Sequence, residues 1–84
     1  MHRKTQVWVV DDDRSISWVL ERALNRAGIS NESFADADQL LQRMNSEQPE
    51  VIISDIRMPG TDGLKLLSLI YERHPELPVI ITTA

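Results

Sequence analysis

Four aspartates of this chain stand at the ends of apolar runs. Asp11, Asp12 and Asp13 follow "VWVV" at Val7–Val10, and Asp55 follows "VIIS" at Val51–Ser54. A carboxylate at the end of a buried strand sits on a rigid mount, as a group meant for chemistry should. Two such ends side by side would crowd negative charge and raise the pKa of some of the acids. A divalent cation relieves that crowding. An all-oxygen, partly hydrated acidic site suits magnesium, which takes a few carboxylates together with water and phosphate oxygens. The competing explanation is helix capping, which serves Asp11–Asp13 equally well. It serves Asp55 less well, because the next helical pattern begins only near Leu64.

The elements that must bring these acids together can be read from the spacing of apolar residues. Val7–Val10 reads as a buried strand. Ile16, Val19, Leu20, Ala23, Leu24 and Ala27 then recur at one-face helical spacing, with Asp13 or Ser15 as the cap and Gly28 as the stop. Ile29–Phe34 is mixed in polarity and reads as an edge strand. Asp36 can cap a second helix that carries Leu40, Leu41 and Met44. Val51–Ser54 is a second strong strand. Leu64 to His74 forms a third helix, with Leu64, Leu67, Ile70 and Tyr71 as its stripe and Leu66 and Leu69 widening it. Val79–Thr83 is a final strand.

Strands and helices that alternate in this way imply an α/β domain with a parallel sheet and right-handed crossovers. With the second strand at an edge, the first lies between the second and the third. The winding then reverses between strands one and three, which is where ligands bind in open sheets of this class. Neighbouring strands lie about 5 Å apart, so Asp11–Asp13 and Asp55 are expected to meet.

Composition narrows the functional classes. The chain has 84 residues, enough for one small domain, and a net charge of −4 with no basic block. That balance argues against direct binding of nucleic acid or of an anionic membrane. No apolar run is long enough to span a bilayer. Cysteine is absent, which excludes disulfides, thiolate nucleophiles and cysteine zinc sites, and a cytoplasmic location is expected. His2 and His74 have no partner at metal-ligand spacing. Trp8 is expected in the core and Trp18 at the surface.

The segments "VVDDD", "SDIRMPGTDG" and "VIITTA" together resemble the response-regulator receiver domain, and the likeness runs from Gln6 to Ala84. They are closer still to the receivers of the nitrogen regulators among the sigma-54-dependent activators. The resemblance implies a flavodoxin-like doubly wound sheet of order 2-1-3-4. It implies that Asp55 accepts a phosphoryl group from a sensor histidine kinase. Asp11 and Asp12 become the acid pair that holds Mg2+ with Asp55, Asp12 as the more direct ligand, and Asp13 an additional acid without a settled role. The backbone carbonyl of Arg57 becomes a further ligand, and Thr83 the hydroxyl that follows the phosphoryl group. Met58, Pro59 and Gly60 shape the loop between, although "MPG" alone would read as a turn.

The resemblance also has gaps. The fourth helix, fifth strand and fifth helix of a full receiver have no counterpart here, nor does the lysine after the fifth strand, for which Lys65 is no substitute. Residues 1–84 are therefore read as a partial receiver. Its fourth strand would present a free edge and its first helix a bare flank, so self-association is expected. Two other functions stay open on the residues: a magnesium-dependent phosphohydrolase with Asp55 as nucleophile, and a passive interaction module that takes no phosphoryl group. Arg57 stands where such hydrolases place a second aspartate.

Overall fold

The structure, a computed structural model, describes residues 6–56 and 63–82. Strand β1 (Gln6–Val10) is followed by α1 (Arg14–Arg26), β2 (Ser30–Phe34), α2 (Ala37–Arg43), β3 (Val51–Asp55), α3 (Gly63–Arg73) and β4 (Val79–Thr82). The four strands form one parallel sheet of order β2-β1-β3-β4. This is the doubly wound arrangement expected from the alternation, with the reversal between β1 and β3.

Local chemistry sets the helix ends. The Asp13 carboxylate accepts hydrogen bonds from the amides of Ser15 at 2.9 Å and Ile16 at 3.4 Å, satisfying two donors that α1 leaves free. Gly28 ends α1 at a φ of 75°, a conformation that a side chain disfavours. There the Gly28 and Ile29 amides donate to the carbonyls of Asn25 and Leu24. Asp36 caps α2 through the Gln39 amide at 2.9 Å.

The main core fills the sheet face under α2 and α3. Trp8, Val10, Phe34, Ala37, Leu40, Ile52, Leu66 and Ile70 are all buried there. Trp8 and Phe34 meet edge to face, with ring centroids 5.3 Å apart. The strand residues among these are even-numbered, as the pleat requires.

Two helix stripes differ from the expected ones. In α3 the buried line is Gly63, Leu66 and Ile70, whereas Leu64 and Tyr71 are 57% and 66% exposed. In α1 only Ser17 is buried, with Leu20 and Leu24 half-buried, while Ile16, Val19, Ala23 and Ala27 are exposed. Periodicity marks every residue that a neighbouring layer could cover. Which of them is covered depends on where the layer lies, and here the sheet reaches only one side of α1. Among the described residues β4 has β3 as its single neighbour, and Ile80 on it is 53% exposed. Among the described residues the outer flank of α1 and the outer edge of β4 are uncovered, as expected.

Candidate functional site

The site follows from the register of β1 against β3. Val10 pairs with Ser54, so the next residues, Asp11 after β1 and Asp55 at the end of β3, stand at the same level. Carboxylate oxygens of Asp11, Asp12 and Asp55 lie within 4.8 Å of one another. Asp11 and Asp55 are buried, and Asp12 is exposed. Two acids therefore form the floor of the group and one faces solvent.

The backbone around these acids is held on several sides. The Asp11 amide donates to the Phe34 carbonyl at 3.1 Å, which extends the β1–β2 ladder up to the site. The Asp11 carbonyl accepts from the buried Ser17 hydroxyl of α1 at 3.5 Å. On the other strand, the Ile56 amide donates to the Thr82 carbonyl and the Gly63 amide to the Ile56 carbonyl. The residue after Asp55 is thus tied both to β4 and to the start of α3. Gly63 packs so tightly that an added Cβ would press on the Asp55 carbonyl oxygen and come within 2.6 Å of the Ile56 Cα.

The electrostatics match the crowding. Burial raises the Asp11 carboxyl above its ordinary 3.8, and the charges of Asp55, Asp12 and Asp13 raise it further. The Asp13 amide, which donates to Asp11 Oδ1 at 2.8 Å, pulls the other way. A group whose native pKa is raised holds its proton more tightly folded than unfolded. Its contribution to stability is fully present below 3.8 and is lost as the pH rises through the native value. Asp11→Asn keeps an oxygen for the Asp13 amide and removes the charge. It is expected to stabilise the metal-free protein at neutral pH by about 0.5–2 kcal/mol, the range common for relief of an unfavourable charge. Urea midpoints should show that gain at pH 7 and show it shrinking as the pH falls toward 3.8.

Three carboxylates with mutual repulsion, two buried and one open, make a donor set that fits a hard divalent cation. Asp13 stands apart from them. Its carboxylate caps α1, as the sequence allowed. Thr82 pairs with Asp55 across β3 and β4, and its hydroxyl donates to the Ser54 carbonyl at 3.3 Å. The expectations for Arg57, Met58, Pro59, Gly60 and Thr83 lie outside the described residues. Sequence reasoning passed over Gly63 and Ser17. A glycine opening a helix without a capping role was the available signal for the first, and a serine beside an apolar helix stripe for the second.

Comparisons with known proteins point the same way. The family described as the response regulator receiver domain matches residues 7–84. The chain is 58% identical over 82 residues to the DNA-binding transcriptional regulator NtrC of Proteus hauseri, covering 98% of this chain and 17% of that protein. It is 59% identical over 78 residues to the protein of the same name from Escherichia coli K12, covering 93% of this chain and again 17% of the relative. Among solved structures, the BeF3-activated receiver domain of nitrogen regulatory protein C (NtrC) aligns with a TM-score of 0.83 at 55% identity, covering 99% of this chain and 67% of that one. The chain thus spans 17% of the length of the curated relatives it matches.

Proposed function

This chain belongs to the response-regulator receiver family, and from that membership we propose that Asp55 accepts a phosphoryl group from a sensor histidine kinase in a magnesium-dependent reaction. The observation that carries the proposal is the convergence of Asp11, Asp12 and Asp55 within 4.8 Å at level strand ends. Residues 1–84 act in this reading as the larger part of a receiver. The chemistry is stoichiometric, so the domain is regulatory rather than an enzyme.

Phosphoryl transfer needs positioning and charge control more than covalent assistance. One Asp55 oxygen forms the new O–P bond while the bond from phosphorus to the donor imidazole nitrogen breaks. That nitrogen keeps the electron pair and regains a proton from solvent. The pairing of Asp55 with Thr82, and of Ser54 before it with Val10, holds Asp55 in place during the exchange. Asp11, Asp12 and Asp55, with the Arg57 carbonyl, would hold Mg2+. When bound, the cation neutralises charge on the carboxylates and on the phosphoryl oxygens. The acyl phosphate adds a charge of about −1.5 to −2, and the Thr83 hydroxyl is the group assigned to follow it.

The parent protein, in this reading, is a cytoplasmic transcription activator of the nitrogen-regulator kind, because the similar curated proteins are DNA-binding transcriptional regulators. Among the described residues no helix is long and apolar enough to cross a membrane. The segment itself is not assigned a nucleic-acid surface.

Acetyl phosphate with Mg2+, followed by intact-mass measurement, tests the reading. A single added phosphoryl group is expected, and none on Asp55→Asn. A folded sample that takes no adduct would leave only a passive interaction module. Sustained turnover of a generic phosphate ester would instead make the protein a phosphohydrolase.

Self-association is a second element of the proposal. Ile80 on the free edge of β4, and Ile16 and Val19 on α1, are the exposed apolar groups that another copy would cover. Light scattering of the 84-residue chain at high concentration is expected to give a mass above the monomer, lowered by Ile80→Lys. A monomer at every concentration would remove this element and leave the phosphoryl chemistry untouched.

A further inference from the structure

We infer that Thr82 is a positioning residue for the acceptor, acting through the peptide that precedes Asp55; this rests on the phosphoryl-acceptor reading above. In a parallel ladder, residues in register project to the same face. Thr82 is the register partner of Asp55, as Ile80 is of Ile53. Its side chain therefore lies on the acceptor's side of the sheet. The hydroxyl is not idle there, because it donates to the Ser54 carbonyl at 3.3 Å. On the far side of Asp55, the Thr82 carbonyl accepts the Ile56 amide at 3.1 Å. One residue of β4 thus grips β3 immediately before and immediately after the acceptor, once through its side chain and once through its backbone.

Several surroundings make the side-chain link matter. Among the described residues β4 is an edge strand, and it and Pro78, whose carbonyl accepts the Ile52 amide at 3.1 Å, flank β3 on that side. Thr82 is the residue of β4 level with the acceptor. The Ser54 carbonyl belongs to the peptide whose nitrogen is that of Asp55, so any tilt of this peptide swings the Asp55 carboxylate. Ser54 is itself fully buried, and its hydroxyl donates to the Asp55 carbonyl at 3.0 Å. The peptide groups flanking the acceptor are therefore restrained by the two hydroxyls, Thr82 on the first and Ser54 on the second. A small angular error at the nucleophile lowers the fraction of attack-ready geometries without altering how the donor binds.

Thr82→Val removes the hydroxyl at nearly constant volume, and Thr82→Ser restores it without the methyl group. With acetyl phosphate as donor, an Asp55 oxygen bonds to phosphorus and the bridging bond to acetate breaks, releasing acetate. The limiting rate of adduct formation is expected to fall roughly 3- to 10-fold in Thr82→Val, with the half-saturating donor concentration unchanged and Thr82→Ser close to wild type. Amide exchange at Ile56 should also be faster in Thr82→Val than in Thr82→Ser. A wild-type rate in Thr82→Val overturns the inference, as does equal impairment of Val and Ser, which would assign the effect to the methyl group. A wild type that takes no phosphoryl group at all overturns the acceptor reading itself, and that result is separable because it precedes any variant.

Discussion

Gly63→Ala is expected to destabilise the domain by about 2–4 kcal/mol, beyond the ordinary cost of one extra buried methyl, and to slow phosphoryl uptake as well. The sign is what makes the substitution informative. Alanine is the better helix former by about 1 kcal/mol, so at the start of α3 local propensity predicts a gain. The tertiary contact predicts the opposite. A Cβ at Gly63 would meet the Asp55 carbonyl oxygen and lie 2.6 Å from the Ile56 Cα, and both neighbours are backbone atoms with no rotamer to change. Relief requires α3 to back away from β3, which breaks the hydrogen bond from the Gly63 amide to the Ile56 carbonyl at 2.9 Å. The strain falls on the peptide that carries the acceptor. Gly28→Ala serves as the contrast: nothing lies within 4 Å of its Cβ, so only the positive φ is penalised, by about 1 kcal/mol. Urea unfolding and adduct rate, measured on both variants, separate the two causes. A neutral or stabilising Gly63→Ala would contradict the close approach of α3 to the site.

Trp8→Ala is the second large effect, at about 3–5 kcal/mol. Trp8 is 1% exposed in the centre of the sheet and packs against Phe34. A domain of this length has roughly 4–13 kcal/mol of total stability, so the variant is expected to be partly unfolded at room temperature. Trp8→Phe should behave quite differently. The indole Nε1 is buried without a hydrogen-bond partner among the described residues. An orphaned donor of that kind costs about 1–3 kcal/mol, and phenylalanine removes it along with some packing. The two changes offset, and a stability within about 1 kcal/mol of the wild type is expected. Equilibrium denaturation followed by circular dichroism distinguishes the two outcomes. A Trp8→Phe loss as large as that of Trp8→Ala would mean that the orphaned donor costs nothing.

These two positions also show how much could be read in advance. Trp8 lies in a run of four apolar residues, and only a strand covered on both faces tolerates such a run. The meeting of Asp11, Asp12 and Asp55 was legible because strand order and strand ends follow from alternation and from the polarity of β2. The caps at Asp13 and Asp36 were legible because they are local. Gly63 was not, because a close approach between helix and strand leaves no trace in periodicity. The stripes of α1 and α3 were half legible: Leu66 and Ile70 lay inside the expected set, but Leu64 and Tyr71 turned to solvent. The link from the Thr82 hydroxyl to the Ser54 carbonyl was not legible, since it depends on the β3–β4 register that pairs Thr82 with Asp55.

Asp11, Asp12 and Asp13 have consecutive and unlike duties: a sunken carboxylate, a solvent-facing one and the cap of α1. No spare residue separates strand from helix there. Adding or deleting a single position would shift all three assignments together, so this junction can drift in residue type but has almost no freedom in length.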